Sequence, residues 1–318
     1  MSISRREYIK LCLVSLALYP GKPLLALTSK TQAQTGNGNF HYIYTNPELR
    51  DRFFHFYENV FHLYPEKELH QLIGALTKQH KTDKAVYQAL QASLDEITPL
   101  LASFRYALPA LAKQKNEMTS QTLQLLDNKK RYNGYLEIGT TGRYLGQLED
   151  RLTISDERYL LHTSEAGYGP QDIVERGQLT KIGKFVEMGD YVTDFTRVIN
   201  PGSLDLVTVY IGFHHCPLEK RDGFITSVRD LIRPGGKLIL RDHDAKNQDM
   251  LHIAALAHDT FNAGTHEQWK TNESEVRNFY SLKYIIEYLA KRGLRYDGKV
   301  LFQEGDPTRN GLMAFTRV

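Results

Sequence analysis

The stretch NGYLEIGTTGRYLG, residues 133–146, decides the fold because it joins a predicted strand to a predicted helix through a glycine-rich turn. An acidic residue, Glu137, and two closely spaced glycines, Gly139 and Gly142, follow the apolar run. Glycines let backbone amides approach a ligand closely, and a helix N-terminus favours a carboxylate or a phosphate. A plain tight turn can contain the same glycines. Only the surrounding sequence can therefore distinguish a cofactor-binding loop from a plain turn.

Short apolar runs alternate with helical segments from residue 133 onward. This alternation predicts an α/β fold with a parallel sheet and helices on both of its faces. Seven runs are predicted strands: GYLEIG (134–139), RYLLHT (158–163), KFVEMGD (184–190), LDLVTVYIGF (204–213), GGKLILRD (235–242), KVLFQEG (299–305) and GLMAFTRV (311–318). A tight turn joins the last two runs, which therefore predict an antiparallel hairpin.

The glycine stretch does not fit a dinucleotide-binding loop, since Glu137 stands where the first glycine of G-x-G-x-x-G would be. YLEIGTTGR instead resembles motif I of class I S-adenosylmethionine-dependent methyltransferases. Later motifs follow in that family's order: VEMGD ending at Asp190, LDLVTVYIGFHH ending at His215, and then LIRPGGKLILRDHD. For residues 131–318 the resemblance implies a Rossmann-like, seven-stranded, mostly parallel sheet with an antiparallel last strand, and S-adenosyl-L-methionine as cofactor.

The resemblance also implies which residues bind the cofactor. They are Glu137, Gly139, Thr140, Gly142, Glu165, Asp190, Tyr191 and Tyr210. Glu137 would hold the ammonium group beside the glycine loop, Asp190 would accept from the adenine amino group, and Tyr191 would stack nearby. Tyr210 falls where the family's fourth strand passes the cofactor, although it could equally be a core residue. An acidic residue normally ends the second strand and grips the ribose; Glu165 is the candidate for that role here.

Ligands of open parallel sheets bind outside the carboxyl ends of the strands. Two of the predicted strands are followed, at that edge, by histidine and aspartate residues. Six of the twelve histidines lie between residues 214 and 266. Methyl transfer needs positioning and, where the acceptor carries a proton, a base, a task that suits imidazole. We predict His243 or His215 as the base, with Asp242 or Asp244 orienting an imidazole or the acceptor. Packing or cofactor contact is the alternative for His215.

A metal site is a separate hypothesis for RDHDAKN, residues 241–247. Some methyltransferases that act on catechol-like acceptors use two aspartates and an asparagine around a divalent cation, and this stretch offers Asp242, Asp244 and Asn247. The spacing is not a recognised ligand pattern, and a short cluster without geometry is weak support. The preferred interpretation therefore assigns no metal.

Residues 38–130 are predicted to form a helical cap, because apolar residues return every three or four positions, as at Val86, Leu90 and Leu94. The insertion at 256–289 could join the cap in forming a lid over the acceptor. Its aromatic residues Phe261 and Trp269 are lid candidates, with core positions as the alternative.

The first 37 residues have a charged head, an apolar middle and a small polar tail, which is a secretory-type layout. SRREYIK resembles the bacterial twin-arginine export signal, with Arg5 and Arg6 as the pair. This predicts export, or association with the inner membrane through the N-terminus. A cytoplasmic helix with two chance arginines is the alternative.

Charge and cysteine content narrow the range of functions that this chain can have. The net charge of +3 comes without a long basic run, which argues against a nucleic-acid groove, and two cysteines exclude a disulfide framework. The prediction is an S-adenosylmethionine-dependent methyltransferase acting on a small or amphiphilic acceptor. The alternatives are a protein or RNA methyltransferase and a non-catalytic scaffold that binds the cofactor. The oligomeric state stays open.

Overall fold

A computed structural model describes residues 38–99, 106, 108–127, 129–167, 180–192, 194–210 and 212–318. The predicted export signal lies outside these ranges, as does the segment QDIVERGQL, residues 171–179, whose sequence predicts a helix. Within them, none of the helices combines the length and the apolar character needed to cross a membrane.

One sheet of seven strands organises the chain, in the order β3-β2-β1-β4-β5-β7-β6. The strands are β1 Arg131–Ile138, β2 Thr153–His162, β3 Lys184–Glu187, β4 Leu204–Val209, β5 Ile232–His243, β6 Leu294–Phe302 and β7 Asn310–Arg317. Strands β1 to β5 pair in parallel, whereas β7 lies antiparallel between β5 and β6. This confirms the predicted Rossmann-like sheet with its antiparallel last strand.

Ten α-helices are described: α1 Asn39–Tyr44, α2 Pro47–Asn59, α3 Glu66–Gln79, α4 Asp83–Ile97, α5 Leu108–Leu125, α6 Leu145–Glu149, α7 Leu218–Leu231, α8 Gln248–Gly264, α9 Trp269–Ser274 and α10 Leu282–Ala290. Side-chain caps fix where several of them begin. Asn46 accepts from the backbone amides of Glu48 and Leu49 ahead of α2, and Asn247 accepts from that of Met250 in α8. Each such cap satisfies amides that have no partner inside the helix.

Apolar side chains form three buried clusters. One lies on the sheet face that carries α7 and α10, and a second on the opposite face with α5 and α6. In the third, helices α1 to α4 share a core with α8. Tyr64 Oη donates to Gly264 O at 2.7 Å and Tyr87 Oη to Glu267 O at 2.8 Å. The cap helices are therefore fixed to the segment that follows the carboxyl end of β5.

Candidate functional site

The glycine turn after β1 encloses a carboxylate. Gly139 and Gly142 have φ of +85° and +96°, a region that suits glycine. Glu137 is fully buried and accepts hydrogen bonds from Tyr135 Oη at 3.1 Å, from Thr140 Oγ1, and from the Tyr144 amide at 3.3 Å. The turn thus wraps around an acidic side chain, which a plain connecting turn does not require.

Burial raises the pKa of the Glu137 carboxyl, although hydrogen bonds and the charge of Arg143 act in the opposite direction. The low dielectric of the surroundings penalises the anion more than these groups compensate it. An additional positive charge placed beside Glu137 would stabilise the ionised form. The end of β1 is consequently suited to a ligand that carries a cationic group.

Two other predicted cofactor carboxylates lie in surface ion pairs. Glu165 is half exposed and contacts Lys181 Nζ at 2.9 Å. Asp190, which is 81% exposed, pairs with the ammonium group of Lys220. Tyr191, with φ of +51°, sets its ring edge-on to Phe224 with 5.2 Å between the centroids. The roles of these three residues at the ribose and the adenine stay predictions.

Tyr210 takes part in the core on the α5 side of the sheet. Its hydroxyl lies 2.8 Å from Thr122 Oγ1 in α5, and its ring centroid lies 4.5 Å from that of Tyr144. Only 2% of the residue is exposed. These contacts correspond to the core alternative for Tyr210, and its contact with the cofactor stays a prediction.

His162 ends β2, at the position where the family resemblance would place an acidic residue. The preceding residue, Leu161, accepts a hydrogen bond from the Gly139 amide at 2.9 Å, so this strand end adjoins the glycine turn. His162 Nδ1 faces Ser164, whereas Nε2 is buried and has no hydrogen-bond partner among the described residues. Burial lowers the pKa of the imidazole. A ligand hydroxyl next to the turn could satisfy Nε2.

Three histidines gather at the carboxyl ends of β4 and β5. Phe213–His215 forms a 3-10 turn just beyond β4, and His243 is the last residue of β5. Gly212 precedes this turn, and a Cβ there would lie 2.0 Å from the His214 ring. Glycine at 212 is therefore what allows the His214 imidazole to fold back toward β5.

Asp242 anchors this cluster. Its carboxylate accepts from His214 Nδ1 at 2.7 Å, from the His214 amide at 3.0 Å and from the His243 amide at 2.7 Å. His243 Nδ1 lies 3.1 Å from Thr308 O, and His215 Nδ1 lies 3.0 Å from Val276 O. The Nδ1 proton of each imidazole therefore has an acceptor, which leaves Nε2 with its lone pair.

Burial dominates the titration of the cluster. It lowers the pKa of His214, His215 and His243 well below the usual range of histidine, and it raises the pKa of the Asp242 carboxyl. The three imidazoles are accordingly neutral at neutral pH, the form in which histidine can accept a proton or bind a metal.

A second layer of this cluster comes from the insertion after β5. His258 of α8 has its ring 5.0 Å from that of His214 and 5.7 Å from that of His243, measured between centroids. Glu275 Oε2 lies 3.9 Å from His258 Nδ1 and accepts from Arg277 Nη2 at 2.7 Å. Burial alone would raise the pKa of Glu275, but the neighbouring His258 and the charge of Arg277 lower it strongly.

The residues that a metal site in RDHDAKN would use have separate structural roles. Asp242 holds His214, Asp244 Oδ1 accepts from the Leu282 amide at the start of α10, and Asn247 caps α8. The lid candidates are packed in the cap: Trp269 lies edge-on to Tyr87 with centroids 5.2 Å apart, and Phe261 lies 6.2 Å from Phe61.

Comparisons with known proteins give similarity only at the level of solved structures. No family model matches the chain, and no curated protein matches its sequence. The PH0226 protein from Pyrococcus horikoshii OT3 is 16% identical, with a TM-score of 0.45 over 65% of this chain and 91% of that chain. A SAM-dependent methyltransferase from Aquifex aeolicus is 13% identical, with a TM-score of 0.41 over 65% and 98%.

A third similar structure is the 1,6-didemethyltoxoflavin-N1-methyltransferase of Burkholderia thailandensis, which was solved with 1,6-didemethyltoxoflavin and S-adenosylhomocysteine bound. It is 9% identical to this chain, with a TM-score of 0.43 over 64% of this chain and 78% of that chain. At such low identities and scores, these structures say nothing about which acceptor this chain uses.

Proposed function

We propose that this protein is an S-adenosylmethionine-dependent methyltransferase with a small-molecule acceptor. One observation carries the proposal: a fully buried carboxylate, Glu137, lies under a turn through two glycines at the end of β1. The strand order around that turn and its antiparallel last strand agree with the fold that the sequence motifs implied.

The end of β1 fits the methionine end of the cofactor. Because Glu137 is buried with its pKa raised, an ammonium group close to it, directly or through water, would stabilise its ionised form. Gly139 and Gly142 allow the backbone of the turn to come close to a ligand. When bound, S-adenosylmethionine supplies an activated methyl group on a sulfonium sulfur.

At the position that would bind the ribose of the cofactor, this protein lacks the carboxylate that the family resemblance implied. His162, rather than an acidic residue, stands where β2 ends, and its buried Nε2 has no hydrogen-bond partner among the described residues, so it could form a hydrogen bond with a ligand hydroxyl group. Glu165 follows three residues later at the surface. We propose that His162 contacts the ribose, with Glu165 as a second contact.

The acceptor would lie at the ends of β4 and β5, where His215 is suited to act as the base. Its Nδ1 proton is donated to Val276 O, so Nε2 can take a proton from the acceptor as the methyl group is transferred. The lowered pKa keeps His215 unprotonated at neutral pH. Asp242 holds the neighbouring His214 in a fixed orientation.

Burial at this edge supports a small acceptor. His214 and His215 are 3% and 6% exposed, and the ring of Phe279 lies 4.8 Å from that of His214 between centroids. A folded protein or a nucleic-acid helix cannot reach imidazoles that are covered in this way. A small molecule can.

A transfer assay tests the activity and the acceptor class together. The full-length protein is incubated with S-adenosylmethionine carrying a labelled methyl group and with metabolite, protein or RNA fractions of a cell lysate. We expect label in the metabolite fraction with an equal amount of S-adenosylhomocysteine, and a roughly 10²- to 10⁴-fold slower reaction for His215→Gln. The control His252→Gln, in α8, should keep the wild-type rate.

Each other outcome identifies a different error. Label in protein or RNA would contradict a small acceptor. Absence of label from all fractions, with the cofactor bound, would favour the non-catalytic scaffold. An unchanged rate for His215→Gln would remove His215 as the base.

A further inference from the structure

Three imidazoles converge from three separate elements at the edge of the sheet. His214 comes from the 3-10 turn, His243 from the end of β5 and His258 from α8, and one ring nitrogen of each lies within 4.8 Å of the others. Nitrogen ligands bind zinc at about 2.0–2.1 Å, which separates two ligands of a tetrahedral ion by about 3.4 Å. A small inward rotation of these rings would bring all three nitrogens to a single ion.

The outer ring nitrogens already have the partners that metal-binding histidines use. His214 Nδ1 donates to Asp242 at 2.7 Å, and His243 Nδ1 donates to the carbonyl of Thr308 at 3.1 Å. Such contacts to a carboxylate or a backbone carbonyl fix the tautomer and aim the other nitrogen at a metal. Both Nε2 lone pairs are thereby available.

One of these lone pairs has no partner. His214 Nε2 is buried and lacks a hydrogen-bond partner among the described residues. Leaving a buried polar atom unsatisfied is costly, so such atoms are uncommon in folded proteins. Coordination to an ion would satisfy this nitrogen without a donor from the protein.

A buried carboxylate stands beside the three rings. Glu275 forms a second group of convergent ligand atoms with His215 and His258. Its Oε2 accepts from Arg277, whereas Oε1 is buried and without a hydrogen-bond partner among the described residues. An ion near His258 could therefore gain a carboxylate oxygen as a further ligand.

The ligand types and the surroundings select the kind of ion. Imidazole nitrogens suit zinc, iron, cobalt and nickel, whereas magnesium and calcium prefer a shell of oxygen atoms. The Phe279 ring lies 4.8–5.4 Å from the centroids of His214, His243 and His258 and closes one side. His258 is the most exposed of the three, at 18% of its side chain, which gives an entry path.

We propose that His214, His243 and His258 bind one divalent first-row transition-metal ion, with Glu275 next to it. The site differs from the oxygen-ligand set that RDHDAKN offered. It lies at the carboxyl ends of β4 and β5 and does not depend on the proposed methyl transfer.

The test is metal binding by the full-length, untagged protein after exhaustive chelation and removal of the chelator. Zn²⁺ titrated calorimetrically, and Co²⁺ followed by its visible absorption bands, should each bind at one ion per chain. His258→Ala should weaken binding by at least roughly 100-fold, because loss of a ligand costs more than the 10–100-fold typical of a supporting residue. His252→Ala, on the same helix, should bind like the wild type.

A supporting variant keeps the result interpretable should His258→Ala fold poorly. Asp242→Asn retains the shape of the side chain but weakens its hydrogen bond with His214, and should lower Zn²⁺ affinity by about 10- to 100-fold. Circular dichroism confirms folding of each variant. The proposal is overturned if the wild type shows no saturable binding near one ion per chain, or if folded His258→Ala or Asp242→Asn binds Zn²⁺ as tightly as the wild type.

Discussion

Replacement of Glu137 by glutamine is expected to weaken S-adenosylmethionine binding by roughly 10- to 150-fold, because a hydrogen bond to a charged group contributes about 1.5–3 kcal/mol. Glutamine has nearly the same shape, and its side-chain oxygen can still accept from Thr140 and the Tyr144 amide. The turn should therefore survive while the negative charge is lost. Calorimetric titration of wild type and variant with S-adenosylmethionine measures the effect.

The matched control is Glu157→Gln, an exposed carboxylate of β2 that pairs with Lys184. It removes the same charge away from the glycine turn and should leave the dissociation constant unchanged. Equal affinities for wild type and Glu137→Gln would show that the buried carboxylate does not hold the ammonium group.

Replacement of Arg277 by methionine is expected to destabilise the protein by about 3–5 kcal/mol, because it leaves two buried carboxylates without the positive charge that pairs with them. Arg277 Nη1 lies 2.7 Å from Asp259 Oδ1, and Nη2 lies 2.7 Å from Glu275 Oε2. The side chains of all three residues are 8% exposed or less. Urea unfolding at pH 7 should show a markedly lower midpoint with a similar slope.

Two further variants complete this test. Arg197→Met removes a guanidinium group that is 84% exposed, and should leave the unfolding midpoint unchanged. Arg277→Lys keeps the charge but cannot reach both carboxylates with one ammonium group, so its midpoint should be intermediate. A midpoint for Arg277→Met equal to that of the wild type would contradict a structural role for this buried pair.

Much of the sheet could be predicted from the sequence, because its strands are short apolar runs set apart by turns. The hairpin and the antiparallel last strand followed from the tight turn near the C-terminus. Boundaries were less accurate: the sequence RYLGQLEDRL, residues 143–152, predicts a helix, but the helix found is only Leu145–Glu149, and β4 ends at Val209 rather than at 213. Gly212 precedes the 3-10 turn that carries His214, and a Cβ at position 212 would collide with the His214 ring.

Helix α1 lies within the predicted helical cap, but its own bounds could not be predicted from the sequence, because tertiary contacts determine them. Its six residues are too few to show a helical repeat, and contacts with distant residues hold it in place. Asn39 Nδ2 donates to Asp259 at 2.7 Å, and its Oδ1 lies 2.9 Å from His252 Nδ1. Pairs this far apart in the chain leave no local pattern.

The candidate site, like the fold, could be predicted only in part from the sequence. Glu137, Gly139 and Gly142 were predictable, since one strand and one turn place them together. Clustering of histidines drew attention to 214–266, but the sequence could not show that α8 turns His258 toward β4 and β5. The partners Glu275 and Arg277 lie in an irregular segment, where no helical or strand period reveals which side chains face inward.

Binding of S-adenosylmethionine tests the central claim most directly. The full-length protein is titrated calorimetrically with S-adenosylmethionine and, separately, with S-adenosylhomocysteine. The account predicts saturable binding of each at one molecule per chain, with mutual competition, and a loss of affinity in Glu137→Gln. No binding of either ligand at millimolar concentration, by protein whose folding is confirmed by circular dichroism, would contradict it.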